Sequence, residues 1–452
     1  MAGQDPRAGK GAAPAPERKP SGFSNLVLHL HPRVVPAESL RLSRTFGLGG
    51  AALVLFLLLA VTGALLLVTY EPSPERAYGT VAALVDEVHF GAFVRNAHHW
   101  AANGLVLVAF LHLLRVFYRG GHLPPRRGNW LVGVVLLLLV VASAFTGYLL
   151  PWDQLAYWAV TISTGMLQYV PLAGGMLLRA ARGGPEIGPA TLARFFVLHV
   201  AILPIALLML LAFHFWLVRK VGGVVLPDDV GDAASPRGPL VPTSPGLTRR
   251  EGVAALVVTA AVLLLAAVAD APLLAQANPG MSPNPAKAPW YFMGVQELLV
   301  HLHPLFAAVL VPALALVLLA ALPSLGGGAR TTGRWFESPR GARISLGAAV
   351  AGVALATGAI LVNEPLRRAP PWLPKLAPAI RGGLMPVLAA GMVVAAVGFL
   401  ARRRGASRLE AIQAAFTFAV AAFAVLTVTG ILFRGQGMAL AWPWTARAGG
   451  IP

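Results

Sequence analysis

Histidine is the side chain in this sequence with the clearest capacity for metal chemistry. The chain has eleven histidines and no cysteine, and four of the histidines are regularly spaced on two apolar stretches. His98 and His112 are fourteen positions apart, and His199 and His214 are fifteen positions apart. On an α-helix these separations bring each pair to within about 40° and 60° of one face, and about 21 and 22 Å apart along the axis. Each helix therefore presents one imidazole at each of two levels.

The two helices are expected to run in the same direction, which places His98 level with His199 and His112 level with His214. Two imidazoles facing each other suit the axial ligation of a haem iron, whereas a zinc ion would need four ligands at each level. Ionisable groups inside a membrane span are by default candidate functional groups. The alternative is a set of helix-packing histidines. His99 is a rival to His98, but its spacing of thirteen positions from His112 turns it about 140° away.

Glycines repeat with the same spacing on two neighbouring apolar stretches. The interval from Gly49 to Gly63 is fourteen positions, as is the interval from Gly133 to Gly147. Because glycine has no Cβ, a flat macrocycle can approach the backbone closely at these positions. Small residues also allow close packing of helices in membranes, and this alternative is common. The shared spacing favours clearance for two haems at two depths.

Three arginines lie close in sequence to the four histidines: Arg95, Arg115 and Arg194. Each could pair with a haem propionate through charge-assisted hydrogen bonds. The alternative for each is an ordinary anchor at the membrane interface.

The elements that must position these residues are membrane-spanning helices. Of the 452 residues, 57% are hydrophobic and only 12% are charged, and the mean hydropathy is +0.70. One water-soluble globule cannot bury so much apolar surface, which excludes an ordinary soluble enzyme. Stretches of about 20 apolar residues predict membrane spans. Nine are present, at 46–69, 92–117, 130–150, 193–218, 252–274, 303–323, 343–362, 384–401 and 411–433.

The basic residues predict the orientation of these spans. If the first span runs outward, the N-terminal tail and the connections on its side hold 24 of the 36 Lys and Arg residues, while acidic residues divide equally. The bias predicts a multi-pass protein of the cell inner (cytoplasmic) membrane with its N-terminus in the cytoplasm. Because this asymmetry accounts for most of the net charge of +18, no nucleic-acid partner is required.

Composition divides the chain into four parts. Residues 1–22 are rich in Pro, Gly and Ala and predict a disordered cytoplasmic tail. Residues 23–225 carry the first four spans, after a predicted surface helix at 23–40. Residues 226–250 are a predicted cytoplasmic linker, and 251–452 carry about five further spans.

The motifs around the histidines resemble those of a known family. RNAHHW…FLHLLR and RFFVLH…FHFWLVRK match the two haem-bearing helices of cytochrome b in the cytochrome bc and bf complexes, and GYLLPWDQLAYWAV matches the loop after its third helix. The longer histidine spacing on the second of these helices is most similar to the split cytochrome b of the photosynthetic bf complex. The resemblance covers residues 23–225 and one motif near 280–300. It implies an all-α polytopic membrane protein in which a four-helix dihaem bundle precedes about five further helices.

The resemblance also implies an activity, namely that of a quinol–cytochrome c reductase subunit that works only with partner subunits. His98 and His199 would hold a low-potential haem b near the outer face, and His112 and His214 a high-potential haem b near the cytoplasm. Quinol would be oxidised outside and quinone reduced inside, with net proton translocation. The implied partners are a Rieske iron–sulfur protein, a c-type cytochrome, quinone, lipid and a second copy of the complex.

The family pattern further implies which residues form the quinone sites. The outer site would lie between the loop 147–164, with Pro151, Trp152 and Asp153, and a motif after the fifth span that contains Pro289 and Trp290. Tyr148 and Tyr291 would hydrogen-bond the quinol, or would serve only as interfacial anchors. The inner site would lie near His112, His214, Arg219 and Lys220.

The sequence departs from the family at two places. The family motif Pro-Glu-Trp-Tyr is replaced by Ala288-Pro289-Trp290-Tyr291, so its proton-accepting Glu is missing. Glu297 is the candidate replacement, with a pKa raised by partial burial. The alternative for Glu297 is a solvated residue at the edge of a span. The cysteine that anchors a covalent haem in the photosynthetic form is also missing, which excludes such a haem.

Two other functions are compatible with intramembrane histidines. One is a dihaem membrane anchor of a quinone-linked dehydrogenase without bifurcation, which has no reason to carry the PWDQ and PWY motifs. The other is a transporter with a histidine proton relay, which would show no haem absorption. The sequence leaves open which quinone is used and what accepts the electrons.

Overall fold

Nine long apolar helices dominate the part of the chain that the computed structural model describes, which is residues 32–227, 238–326, 333–367, 370 and 373–446. All nine predicted spans are confirmed, although the fifth begins earlier than predicted. In chain order the spans are α1 Leu48–Leu66, α2 Gly91–Tyr118, α3 Arg127–Leu149, α4 Pro189–Lys220, α5 Thr243–Val268, α6 Leu305–Leu325, α7 Pro339–Leu366, α8 Ile380–Arg403 and α9 Arg408–Leu432.

Shorter helices connect the spans. The α-helical ones are Leu42–Thr45, Ala77–Asp86, Gln154–Gly165, Gly174–Arg182, Met293–His301 and Pro443–Ala446, and the 3₁₀ turns are Ala37–Leu40, Met166–Tyr169, Trp290–Phe292 and Gln436–Met438.

Three spans contain a π-turn, and each π-turn is followed by a proline. The turns are Leu198–Ile202 in α4, Leu305–Leu310 in α6 and Ile380–Leu384 in α8, and the prolines are Pro204, Pro312 and Pro386. A proline inside a helix has no N–H to donate, and its ring collides with the carbonyl one turn earlier. A widened turn accommodates this ring without ending the helix.

A two-stranded antiparallel sheet replaces part of the predicted surface helix at 23–40. β1 Val34–Pro36 pairs with β2 Leu240–Pro242, with Val35 opposite Val241. The helix prediction is therefore wrong for residues 32–36, because β-branched valines next to prolines favour an extended backbone and find a partner strand far along the chain. Residues Ala37–Leu40 form the short 3₁₀ turn given above. Residues 23–31 and the predicted disordered tail 1–22 lie outside the described residues, as does 228–237 of the predicted linker.

The connections collect at two faces of the helix bundle. We call the face that carries Pro151–Gln154 the PWDQ face and the opposite one, where α1 begins, the N-terminal face. At the PWDQ face, Arg95 of α2 donates to the carbonyl oxygens of Ala271 and Pro272 at 2.7 and 2.6 Å. At the N-terminal face, Arg115 donates to the carbonyl oxygen of Arg44. Each face is therefore stabilised by hydrogen bonds between residues that are distant in the sequence.

The ninth span is built into the bundle. α9 packs along α7 and against the helix Met293–His301, and it also reaches the first half of the chain. The ring centroids of Phe416 and Phe117 are 4.1 Å apart, and the hydroxyl groups of Thr417 and Tyr118 are hydrogen-bonded at 2.7 Å. α9 therefore joins the two halves of the molecule.

Candidate functional site

The structure brings the four spaced histidines together in the two pairs that the sequence predicts. The ring centroids of His98 and His199 are 6.2 Å apart, and those of His112 and His214 are 6.5 Å apart. Two imidazoles that ligate one metal from opposite sides hold their centroids about 6 Å apart, because each metal–nitrogen bond is about 2 Å long. The spacing of both pairs therefore fits bis-histidine ligation of an iron.

A π-turn in α4 explains why the two helices differ by one residue in their histidine spacing. His199 lies inside the turn Leu198–Ile202, and His214 follows it in regular helix. A π-turn accommodates one more residue than an α-turn. The extra residue is absorbed there, so the longer histidine spacing on α4 matches the shorter spacing on α2.

Hydrogen bonds orient the two histidines nearer the PWDQ face. His98 Nδ1 lies 2.9 Å from Thr62 Oγ1, and His199 Nδ1 lies 2.9 Å from the carbonyl oxygen of Ser143. Thr62 Oγ1 donates its own proton to the Leu58 carbonyl, so it accepts from His98. Each Nδ1 is then a donor, which leaves Nε2 as the free ligating nitrogen.

The pair nearer the N-terminal face lacks these partners. Nδ1 of His112 and Nδ1 of His214 are buried without a hydrogen-bond partner in the described part of the chain. The two levels therefore differ in whether a hydrogen bond at Nδ1 increases the basicity of the ligating imidazole.

Each of the four spaced glycines lies against a different one of these histidines. An added Cβ would lie 3.4 Å from His112 at Gly49, 3.3 Å from His98 at Gly63 and 3.6 Å from His214 at Gly133. At Gly147 it would overlap His199 Cε1 and would lie 2.9 Å from Nδ1. The glycines thus make room for the imidazole rings. Their predicted clearance for a macrocycle stays a prediction.

The three arginines near the histidines donate to backbone carbonyls. Arg95 and Arg115 make the bonds given above, and Arg194 donates to the carbonyl oxygen of Ala180. Their predicted pairing with haem propionates stays a prediction. Arg219 and Lys220 are exposed at the end of α4, where the Lys220 amine lies 4.9 Å from the Trp216 ring centroid.

A cavity of about 900 Å³ opens beside His199 near the PWDQ face. Its wall is mostly apolar and comes from α3, α4, α6, the helices Gln154–Gly165, Gly174–Arg182 and Met293–His301, the turn Met166–Tyr169 and the segment 286–292. Val197, Leu198 and Ile202, which flank His199, belong to it. The polar side chains of the wall are Thr146, Ser163, Thr164, Arg194 and Gln296. A mostly apolar cavity with a few polar groups is typical of a binding site for a small organic ligand.

The PWDQ motif fastens the connection between α5 and α6. Asp153 Oδ1 accepts from the Ala156 N–H at 2.9 Å and caps the helix Gln154–Gly165, and Oδ2 accepts from the Leu274 N–H at 3.2 Å. Burial raises the pKa of Asp153, although these bonds oppose the shift. Trp152 is buried and Pro151 is half-buried. None of the three lines the cavity, so their predicted contact with quinol stays a prediction.

The motif after α5 reaches the cavity at Ala288 and is held there by Gln296, which was not predicted from the sequence. Gln296 Oε1 accepts from the Ala288 N–H at 2.7 Å, and its Nε2 donates to the Ala286 carbonyl at 2.6 Å. Gln296 thereby holds the segment before Pro289 while also lining the cavity. The feature of the sequence that could have indicated Gln296 is its helical spacing from Phe292 and Leu299, which line the same wall.

The aromatic residues of the motif lie behind that wall. Trp290 Nε1 donates to Asn103 Oδ1 at 2.7 Å. Tyr291 is half-buried, and burial raises the pKa of its hydroxyl. Neither Tyr291 nor Tyr148 lines the cavity, so their hydrogen bonds to quinol stay a prediction.

Glu297 is neither a solvated residue nor a carboxyl group with a raised pKa. Its side chain is fully buried and is paired with Arg434, whose Nε lies 2.9 Å from Oε2, while His301 Nε2 lies 2.9 Å from Oε1. Burial alone would raise the pKa of Glu297, but the hydrogen bonds from His301 and Arg434 and the charge of Arg434 lower it below its usual value. Both sequence interpretations of Glu297 are therefore wrong, because its counter-ion comes from a distant part of the sequence.

Within the described residues, no group of three or more His, Cys, Asp or Glu side chains is arranged to hold a metal ion. The two-histidine levels are therefore the metal-binding candidates, and they suit a cofactor that brings its own equatorial ligands.

Comparison with known proteins agrees with this arrangement. The family model "Cytochrome b/b6/petB" matches residues 35–222. Cytochrome b6 of Heliobacterium mobile is 42% identical over 206 residues, which is 46% of this chain and 95% of the relative. Cytochrome b6 of Prochlorococcus marinus strain MIT 9515 is 41% identical over 175 residues, 39% of this chain and 80% of the relative.

The second half has a structural counterpart as well. A solved chain of a "Hyperthermophilic respiratory Complex III" superposes with a TM-score of 0.61 at 23% identity, covering 86% of this chain and 90% of that one. At this identity the match supports the fold. The chain is thus a multi-pass membrane protein that belongs to the cytochrome b/b6 family, whose cofactor is haem b.

Proposed function

We propose that this chain is the cytochrome b subunit of a quinol–cytochrome c oxidoreductase. The observation that supports the proposal is the cavity beside His199, because a mostly apolar cavity next to one of the two histidine pairs could accept an apolar ring. A dihaem anchor without bifurcation would not need this cavity together with the PWDQ and PWY motifs.

Two haems b would be held by these histidines, one by His98 and His199 and the other by His112 and His214. Bound there, they supply one-electron redox chemistry within the membrane. The chain's own contribution is their separation. The rise of α2 between His98 and His112 holds the two levels about 21 Å apart. The hydrogen bonds to Nδ1 of His98 and His199 make these imidazoles stronger donors, which favours the lower potential at that level.

Quinol would bind in the cavity with its ring between the apolar wall residues. Ser163 is the lining hydroxyl that makes no hydrogen bond within the described residues, so it is available to the quinol head group. Gln296 would orient the ring from the opposite wall. No carboxylate among the described residues lines the cavity, so a quinol proton would leave through hydroxyl groups and water rather than through Glu297.

The remaining assignments follow from the family and from charge. The PWDQ face would be the outer face, with the N-terminus in the cytoplasm and the protein in the cell inner membrane. One electron would pass to a Rieske iron–sulfur protein and a c-type cytochrome, and the other would cross to an inner quinone site near Arg219 and Lys220. Residues 23–225 and 251–452 would form two halves joined by a cytoplasmic linker, in a dimeric complex surrounded by lipid.

A redox titration of the purified complex with quantification of extracted haem tests this proposal. We expect two haems b per chain that titrate at separate potentials, and quinol-dependent reduction of a c-type cytochrome. His112→Ala should remove one haem and leave the other. A colourless preparation would overturn the haem sites, and haems that quinol reduces without any transfer to a c-type cytochrome would favour the dihaem anchor.

A further inference from the structure

The residues that end α9 and follow it are tied to the helix Met293–His301, one face of which forms a wall of the cavity. We propose that Arg434 is a positioning residue for this cavity and acts by holding that helix through Glu297. The proposal rests on the proposed function in one respect, which is that the cavity is taken as the quinol site.

Arg434 is fully buried and joins three segments of the chain. Its Nε and Nη2 bind the carboxylate of Glu297 on the helix Met293–His301, and its Nη1 lies 2.7 Å from Glu364 Oε2 at the end of α7. Nη1 also donates to the Met438 carbonyl at 2.9 Å. A guanidinium forms this bidentate contact in one orientation, so it fixes the direction as well as the distance of its partners.

Further contacts join the end of α9 and the residues after it to the segment that precedes the helix Met293–His301. Lys287 Nζ donates to the Ile431 carbonyl at 3.0 Å, and the Gly437 N–H donates to Asn284 Oδ1 at 2.6 Å. The backbones also approach closely, since an added Cβ at Gly430 would lie 3.1 Å from the carbonyl oxygen of Met293. The segment 431–438 is therefore fastened to the segment that leads into the cavity wall.

The helix Met293–His301 has two faces with different partners. Met293, Gly294 and Glu297 are buried on the α9 side. Val295, Gln296 and Leu299 line the cavity. Because the helix turns as one body, a rotation that releases Glu297 must also move Gln296 and Leu299. The position of the wall is thus coupled to the ion pair behind it.

A short helix needs such external support. Met293–His301 is only nine residues long, and helices of this length are marginal by themselves in water. It lies between Pro289 and Pro304, so regular helix does not continue through either end. Buried ion pairs add little net stability but penalise alternative arrangements strongly. The Glu297–Arg434 pair therefore serves to select one orientation of the helix.

The test compares R434Q with E410Q in the complete membrane complex. Glu410 is also buried, and it joins α9 to α7 at the N-terminal face, where Oε1 accepts from Ser338 Oγ at 2.5 Å and Oε2 from the Ser407 N–H at 2.9 Å. It controls for loss of a polar tie between the same helices far from the cavity. The measurements are the turnover per haem, the KM for quinol, and the rate of hydrogen exchange in the peptide 293–301.

We expect R434Q to change KM or turnover per haem by about 10-fold or more, as small displacements of binding groups do. Exchange in 293–301 should become faster, while both haem potentials stay unchanged. E410Q should lower the amount of complex without changing KM or the turnover per haem. The double variant E297Q/R434Q leaves no unpaired charge at that contact, so it should restore the amount of complex but not KM.

R434Q complex with native KM and native exchange in 293–301 would overturn the proposal. If R434Q does not accumulate, E297Q/R434Q decides by the same two measurements. If the wild-type complex does not oxidise quinol, the proposed function fails, whereas the exchange measurement still decides whether Arg434 holds the helix.

Discussion

Gly147→Ala should remove or disable the haem at the level of His98 and His199. The added Cβ would come closest to His199 Cε1, and it would also lie 2.9 Å from Nδ1 and 3.0 Å from Nε2. Ordinary contacts begin at about 3.5 Å, so relieving the contact with Cε1 requires the ring to move by about 1 Å. Metal–ligand distances tolerate only about 0.2 Å. The ring also cannot move freely, because its Nδ1 is bonded to the Ser143 carbonyl at 2.9 Å.

Gly133→Ala is the matched control. There the new Cβ would lie 3.6 Å from His214 Cε1, an ordinary van der Waals contact. Both variants add the same methyl group to α3, each beside one histidine level, so a general effect on helix packing should be similar in the two. Only the contact with the histidine differs.

The assay is the reduced-minus-oxidised spectrum of membranes, followed by a redox titration of each variant. We expect Gly147→Ala to lose one of two b-type components or to shift its potential, and Gly133→Ala to retain both. Two native components in Gly147→Ala would refute the argument that this glycine exists to admit His199.

Three further predictions follow from the hydrogen bonds. Thr62→Val removes the hydrogen-bond acceptor for His98 Nδ1, so the potential of one haem should rise by about 20–60 mV. This range follows because a hydrogen bond contributes about 0.5–1.5 kcal/mol and a tenfold change in a one-electron equilibrium constant corresponds to about 59 mV. An unchanged redox titration would contradict this. Asp153→Ala should lower the stability of the PWDQ face by about 1–2 kcal/mol through loss of its helix cap, seen as a lower thermal midpoint that Asp153→Asn partly restores. The pKa of Glu297 is lowered in the folded state, so its stabilising contribution is present above the unfolded value of about 4.3 and is lost as pH falls. Glu297→Gln should therefore reduce the loss of stability on the acid side of a plot of unfolding free energy against pH. An unchanged slope would show that the carboxylate does not titrate on unfolding.

Most of the helical architecture was predictable because membrane spans are local features. About 20 apolar residues are needed to cross the hydrocarbon layer, so each span could be recognised without knowing its neighbours. The pairing of His98 with His199 and of His112 with His214 was predictable for a related reason. Helix rise and period are constants, and they convert sequence spacing into depth.

The site itself was less predictable where it depends on contacts between distant segments. The sequence indicated the right helix for Glu297 but the wrong environment, because only the folded chain brings Arg434 to its carboxylate. Gln296 was overlooked beside it for the same reason, since which face of the helix Met293–His301 meets the cavity depends on where α9 packs.

By itself, the order of the amino acids determined that this chain has nine apolar spans, that two of them carry histidines at two matched depths, and that no covalent haem can be attached through cysteine. Tertiary structure alone decided that a π-turn absorbs the extra residue in α4, that glycines admit the imidazole rings, and that Glu297 is an ion-pair partner. The physical reason is the range of the interactions. Hydrophobic length and helix period act within one segment, whereas hydrogen bonds, ion pairs and steric contacts are set by whichever segment packs alongside.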